Sequence, residues 1–255
     1  MSSPAVRALG ASARVQFRNT PAVHVVVSGV LQPLAFAVVA LLADRGTSAD
    51  PATLVLGAGL LGLWSSVLWQ ASFALRTEVW QGTLAGILSR PAGFAGVLLG
   101  KSAVGAVCGA VPVTLTCALL LVVLRVPLPV AHPVEFVVAA VSAVVAAVPL
   151  SVLLASSFLL TRSAARLSEN LAYPVFILSG MFVPLGVLPG WLRPVASVFP
   201  YRWSADLFTA TRLGGRTGPD WLWFAVTAAG WSALAAAAVA AVLHRARRAG
   251  TLELG

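Results

Sequence analysis

The sequence predicts an all-α, polytopic membrane protein with six transmembrane helices, an N-terminal interfacial helix and an outer re-entrant helix pair. Three observations predict it. Of the 255 residues, 59% are apolar and only 10% charged, with a mean hydropathy of +0.92. A soluble domain has about 45–50% apolar and about 25% charged residues. Long stretches almost free of formal charge recur along the chain. The basic residues are distributed unequally between the connections that join them. The same composition excludes intrinsic disorder, which needs low hydrophobicity and high charge.

The elements follow in order. Residues 1–21 hold Arg7, Arg14 and Arg18 on one helical face, with Val6, Leu9, Ala13 and Phe17 beside or opposite it. That pattern suits a helix lying on the membrane surface rather than a cleavable signal peptide. Spans are expected at 22–43, 52–75, 102–124, 134–161, 171–188 and 221–243. Only Glu135 among them carries a formal charge, at the edge of its span. A span needs about 17–25 residues to cross roughly 30 Å of hydrocarbon. The fifth, 171–188, is barely long enough and contains Pro174, Gly180 and Pro184. Pro33 and Pro149 imply kinks.

Two connections differ from the rest. The segment 77–91 is expected to form a short helix on the N-terminal side of the membrane, opened by Glu78, Trp80, Gln81 and Gly82 and ended by Arg90 and Pro91. The segment 184–213 is apolar but interrupted by Pro189, Gly190, Pro194 and Pro200, which break any continuous helix. A pair of short re-entrant helices fits it, with Trp191, Phe199, Tyr201 and Trp203 at headgroup level. An even number of spans puts both termini on one side. With the termini in the cytoplasm, eleven Lys/Arg fall inside and six outside, as the positive-inside rule requires.

The net charge of +9 does not point to nucleic acid, because the basic residues are spread between apolar stretches without interleaved aromatics. Cys108 and Cys117 are too far apart on one helix to bridge and read as buried small hydrophobes. Residues 95–102 (AGVLLGKS) resemble a phosphate-binding loop, but Ala95 stands where glycine is required and an apolar span follows at once. Lys101 reads instead as a snorkelling residue at the inner headgroups. His24 lies near a span end without an acidic partner, and Ser179-Gly180 lacks the paired base of an intramembrane protease. The glycine pairs Gly82/Gly86, Gly96/Gly100 and Gly105/Gly109 permit close helix approach. No acid or base is expected to be buried within the spans. A transporter of that kind must receive its energy from another subunit.

Two stretches carry a family resemblance. The first runs from Glu78 to Leu84 (EVWQGTL), then Leu88–Pro91 (LSRP) and Leu98–Lys101 (LLGK). The second runs from Leu178 to Pro184 (LSGMFVP), then Leu188–Leu192 (LPGWL), Phe199–Tyr201 (FPY) and Asp206. Together with the span count and spacing, they resemble the type-2 permeases of ATP-binding-cassette exporters, in particular the drug-resistance-like branch. The resemblance implies two permease chains, identical or paralogous, and two ATP-binding subunits that hold ATP and magnesium, with no cofactor in this chain. It implies that 77–91 is the coupling helix seated in the ATPase. It further implies an outer gate around Ser179, Gly180, Pro184, Pro189, Trp191 and Pro200. A plasma-membrane permease exporting a hydrophobic or amphiphilic small molecule, such as an antibiotic or a lipid, is the expected function. A polysaccharide or lipid-linked glycan permease is the alternative. An intramembrane enzyme or an ion-coupled transporter fits less well.

Overall fold

The computed structural model describes residues 26–43, 50–83, 86, 91–160 and 189–249. Every regular element among them is helical. A π-helical turn, Val27–Leu31, leads into α1 (Gln32–Ala43). There follow α2 (Pro51–Trp80), α3 (Pro91–Val123), α4 (Pro133–Leu160), α5 (Arg193–Ser197), α6 (Pro200–Leu213) and α7 (Gly218–Ala249). Four stretches are long and apolar enough to cross a membrane: Pro51–Trp69, Phe94–Val123, Pro133–Phe158 and Gly218–Ala246. Val27–Val39 is a shorter apolar helix. The expected interfacial helix over 1–21 and the expected span over 171–188 lie outside the described residues.

Proline sets most of the helix starts. Pro51, Pro91, Pro133 and Pro200 each occupy the first helical position, where the missing N–H would have no partner and φ is already helical. This explains where the structure departs from the sequence expectation. The third apolar helix begins at Pro91, well before residue 102. The second continues through Trp80, so residues 77–80 form its last turn rather than a separate helix. No proline or glycine interrupts the chain between Gly62 and Trp80. At 1.5 Å per residue, α3 is about 50 Å long and overshoots a hydrocarbon layer of about 30 Å.

The helix α2 is the axis of the bundle. It packs along α1, α3 and α4, and α4 packs in turn on α3, α6 and α7. Of the apolar stretch in α2, 78% is enclosed by other helices, against 11% in α7. The outward faces are apolar too: Val107, Val111, Leu115 and Leu119 of α3 are exposed at successive helical turns, as a lipid-facing stripe requires. The contacts of α2 and its neighbours are made by small residues. A Cβ at Gly62 would lie 2.3 Å from the Pro33 ring of α1, and one at Gly109 of α3 would lie 2.5 Å from Ser66 of α2. A Cβ at Gly29 would lie 2.4 Å from Pro112, a mid-helix proline of α3. The Gly29 carbonyl accepts a 3.0 Å hydrogen bond from the Thr116 hydroxyl, which ties the π-helical turn to α3. At Gly82 an added Cβ meets nothing within 4 Å among the described residues.

Overpacking a close helix contact costs about 1–3 kcal/mol. Gly62→Ala should therefore lower the unfolding midpoint of the purified protein, and Pro33→Ala in the same chain should restore much of it by making room. A midpoint unchanged in Gly62→Ala would mean that α1 and α2 are not in close contact there.

Candidate functional site

Two charged clusters mark the ends of α2, about 40 Å apart along its axis. At its C-terminal end Glu78 is buried, and Lys101 reaches it from within α3. The lysine Nζ donates to Glu78 Oε1, and the Thr83 hydroxyl donates to Glu78 Oε2. Both carboxylate oxygens are thus engaged within the chain. Gly82 adopts φ +66°, a left-handed conformation that glycine reaches without a Cβ penalty. This turn lets the Thr83 amide return to the Glu78 carbonyl at 3.1 Å.

This arrangement corrects two expectations. Lys101 does not snorkel to headgroups; its side chain is 3% exposed and pairs with Glu78. Acid and base are therefore buried within the long apolar helices, as a mutually neutralising pair. Residues 95–102 are helical throughout, so their backbone N–H groups are committed inside α3 and form no phosphate-binding loop. Of the other expected coupling residues, Trp80 is the last residue of α2, Gln81 and Gly82 are exposed in the turn, and Pro91 starts α3. Arg90 lies outside the described residues.

At the opposite end, α6 folds back along the bundle. Its buried residues, Pro200, Tyr201, Ser204, Leu207, Phe208, Thr211 and Arg212, recur at helical spacing and define one inward face. Tyr201 is fully buried and meets Trp64 edge-on, with ring centroids 5.9 Å apart at 73°. Phe208 packs on Phe136 of α4 at 5.2 Å. Tyr201, expected at headgroup level, faces the bundle: its place on the inward stripe of α6 buries it against α2. Beside it, Phe199 stacks on Trp231 of α7 at 5.5 Å, and the Trp231 N–H donates to the Val198 carbonyl at 2.9 Å.

From that turn α6 runs about 20 Å and ends at a clasp. Arg212, buried to 2% exposure, pairs with Asp50 and donates to the Thr53 hydroxyl at 2.9 Å. Asp50 also caps α2, accepting from the Thr53 amide at 3.2 Å and from its hydroxyl at 2.9 Å. Partial burial pushes the Asp50 carboxyl upward, but the bonds from Thr53 and the Arg212 guanidinium outweigh it and hold the carboxyl below its ordinary range. The α3–α4 connection joins the same cluster: the Ala131 amide donates to the Arg212 carbonyl at 3.1 Å and the His132 amide to the Thr211 carbonyl at 2.9 Å. Gly214, at φ +76°, closes α6 with a left-handed cap.

Of the expected gate residues, Pro189 accepts the Leu192 amide in a tight turn, Trp191 is exposed, and Pro200 is the buried first residue of α6. Ser179, Gly180 and Pro184 lie outside the described residues. The sequence reading missed the clasp. Asp50-Pro51 was legible as a cap followed by a helix-opening proline, but no local signal pairs Asp50 with an arginine 162 positions away.

A helical bundle with a long axial helix, apolar outer faces and several helices long enough to cross a membrane is the body of a multi-pass membrane protein. The ABC-2 type transporter family model matches residues 8–213, most of the chain and ending where α6 ends. The chain belongs to that family and is a type-2 ABC permease, a multi-pass transmembrane subunit of an ABC transporter. Membership implies an ATP-binding-cassette partner. No match was found among curated proteins.

The two clusters yield two predictions. Lys101→Ala leaves a buried carboxylate without its counter-charge, a loss of about 3–5 kcal/mol. Combining Lys101→Met with Glu78→Leu should cost much less, and unfolding of the three purified proteins in detergent checks the order. In the clasp, Asp50→Asn should destabilise by about 1–3 kcal/mol by weakening the partner of a buried guanidinium. Because the folded-state pKa of Asp50 is depressed below 3.8, this difference from wild type should be full at neutral pH. It should shrink as pH falls through the folded-state value. A difference that fades between pH 8 and 6 would place its origin elsewhere.

Proposed function

We propose that the chain is the transmembrane subunit of an ATP-driven exporter. It carries a hydrophobic or amphiphilic small molecule, drug-like or lipid-like, out of the cell across the plasma membrane. The family match over residues 8–213 carries this reading. Two permease chains, identical or paralogous, assemble with two ATP-binding subunits, and ATP and magnesium reside in those subunits. Six spans put both termini on one side and the Lys/Arg bias makes that side the cytoplasm, so the Glu78–Lys101 end faces the ATPase and the Asp50–Arg212 end faces outward.

The coupling segment then comprises the last turn of α2, the exposed Gln81-Gly82 turn and the residues up to Pro91. Trp80 and Gln81 serve as contact residues. Glu78 acts through Lys101 and Thr83 by fixing the angle at which the turn leaves the membrane. The outer gate is the re-entrant pair α5–α6 within 184–213, continued from Ser179, Gly180 and Pro184. A movement imposed at the turn is conveyed along α2, a helix without an internal break from Gly62 to Trp80. It reaches α6 through Trp64–Tyr201 and the clasp. Such a device is a two-state element biased from one end.

Two measurements test the reading. A cysteine near Thr217 should react with an impermeant reagent applied outside, and one near Thr251 should not; the reverse pattern sinks the topology. Trp80→Ala with Gln81→Ala should leave insertion and unfolding midpoint unchanged but reduce co-purification of the ATPase, with stimulated hydrolysis and export falling together. Wild-type values of all three in that variant would move the coupling surface elsewhere.

A further inference from the structure

The flank between the α5–α6 turn and α7 holds an open-sided groove of about 620 Å³, within the range of small-molecule sites. Three indoles, Trp203, Trp223 and Trp231, form its walls, and Gly230 forms its floor. Trp203 and Trp223 stack at 5.8 Å. Four donors of the lining are turned inward. The Trp203 N–H donates to the Ser197 carbonyl at 2.9 Å and the Trp231 N–H to the Val198 carbonyl at 2.9 Å. The Thr227 hydroxyl donates to the Trp223 carbonyl at 2.8 Å, and the Ser197 hydroxyl to the Pro194 carbonyl at 2.7 Å. These donors are committed to the protein, so the groove offers an occupant mainly apolar contact. Along α7 it extends from Trp223 to Leu234, a rise of about 16 Å. That is half of a hydrocarbon core of about 30 Å, the depth of one leaflet. It also opens on the helix whose apolar stretch is least enclosed by protein.

We propose that this groove is a binding site for one acyl chain of an outer-leaflet phospholipid. The inference rests on reading α7 as a span with its Gly218 end outward. The headgroup would lie level with Trp223 and the chain would run down over Gly230 to Leu234. Because Trp231 holds both the Val198 carbonyl and the Phe199 ring, the bound chain packs directly against the wall that carries the re-entrant turn. Lipid is as apolar as the groove, so the preference over bulk lipid comes from shape, through flat indole walls and a floor without a side chain.

The test uses the full-length protein in phosphatidylcholine nanodiscs doped with phosphatidylcholine bearing a diazirine along one acyl chain, followed by peptide mapping. Adducts in 198–203 and 223–234 should exceed those on the equally exposed stripe Val107–Leu119 of α3 by about fivefold, a preference on the order of 1 kcal/mol. Gly230→Phe fills the floor, where a Cβ meets nothing within 4 Å, and should abolish the excess while leaving the α3 adducts unchanged. Gly230→Ala should retain it. Equal labelling of the two faces, or an excess that survives Gly230→Phe, overturns the proposal. So does displacement of the label by an added amphiphilic drug with no displacement by unlabelled phosphatidylcholine, which would make the groove a cargo site. No ATPase or transport enters this measurement, and the cysteine labelling reports separately on the topology.

Discussion

Lipid tails are as apolar as leucine, so helices within a bilayer gain little from leaving it, and association depends on how closely they approach. In this permease that approach is made along α2. Gly62 receives the Pro33 ring, Ser66 receives Gly109, and Gly59 faces the Cys117 sulfur, to which an added Cβ would come within 2.7 Å. Each contact pairs a missing side chain on one helix with a compact group on the next. The order of layers follows from it. With α1 and α3 seated on the small-residue faces, α4 packs on α2 and α3. The helices α6 and α7 then close over α4.

Each end of this axis carries an ion pair between two helical elements, and the chemistry differs between them. The Lys101–Glu78 pair is buried on both sides, with 3% and 9% side-chain exposure respectively, so each ion depends on the other for the solvation it has lost. The Asp50–Arg212 pair is asymmetric, since Asp50 remains 46% exposed while Arg212 is 1% exposed. The first behaves as a fixed pin between α2 and α3. The second has one partner that water can still reach, and it joins a short helix rather than two long ones. A bundle that opens at one end while staying closed at the other would be built in this way.

The sequence made the helical class and the apolar stretches legible, because composition and proline placement are local. It also marked Pro189 and Pro200 correctly as breakpoints, and α5 and α6 lie between and after them. It misplaced the start of α3, since length alone does not show how far an apolar helix overshoots its membrane. Tyr201 was assigned to the headgroup level on residue type, and the period of α6 turns its side chain inward against Trp64. Lys101 was read as a lone cation because its acid lies 23 positions away on another helix. Long-range pairing leaves no trace in local pattern, and both charged clusters are of that kind.

The clasp also imposes an order on biogenesis. Asp50 leaves the ribosome 162 residues ahead of Arg212, about 8–30 s at common elongation rates. During that interval α2, α3 and α4 can insert and pack while Asp50, held by Thr53 and still open to water, waits at little cost. Arg212 is never in the converse position. When α6 folds back, its guanidinium enters a site already furnished with a capped carboxylate and a hydroxyl. The residue that could least tolerate being alone is the one translated last.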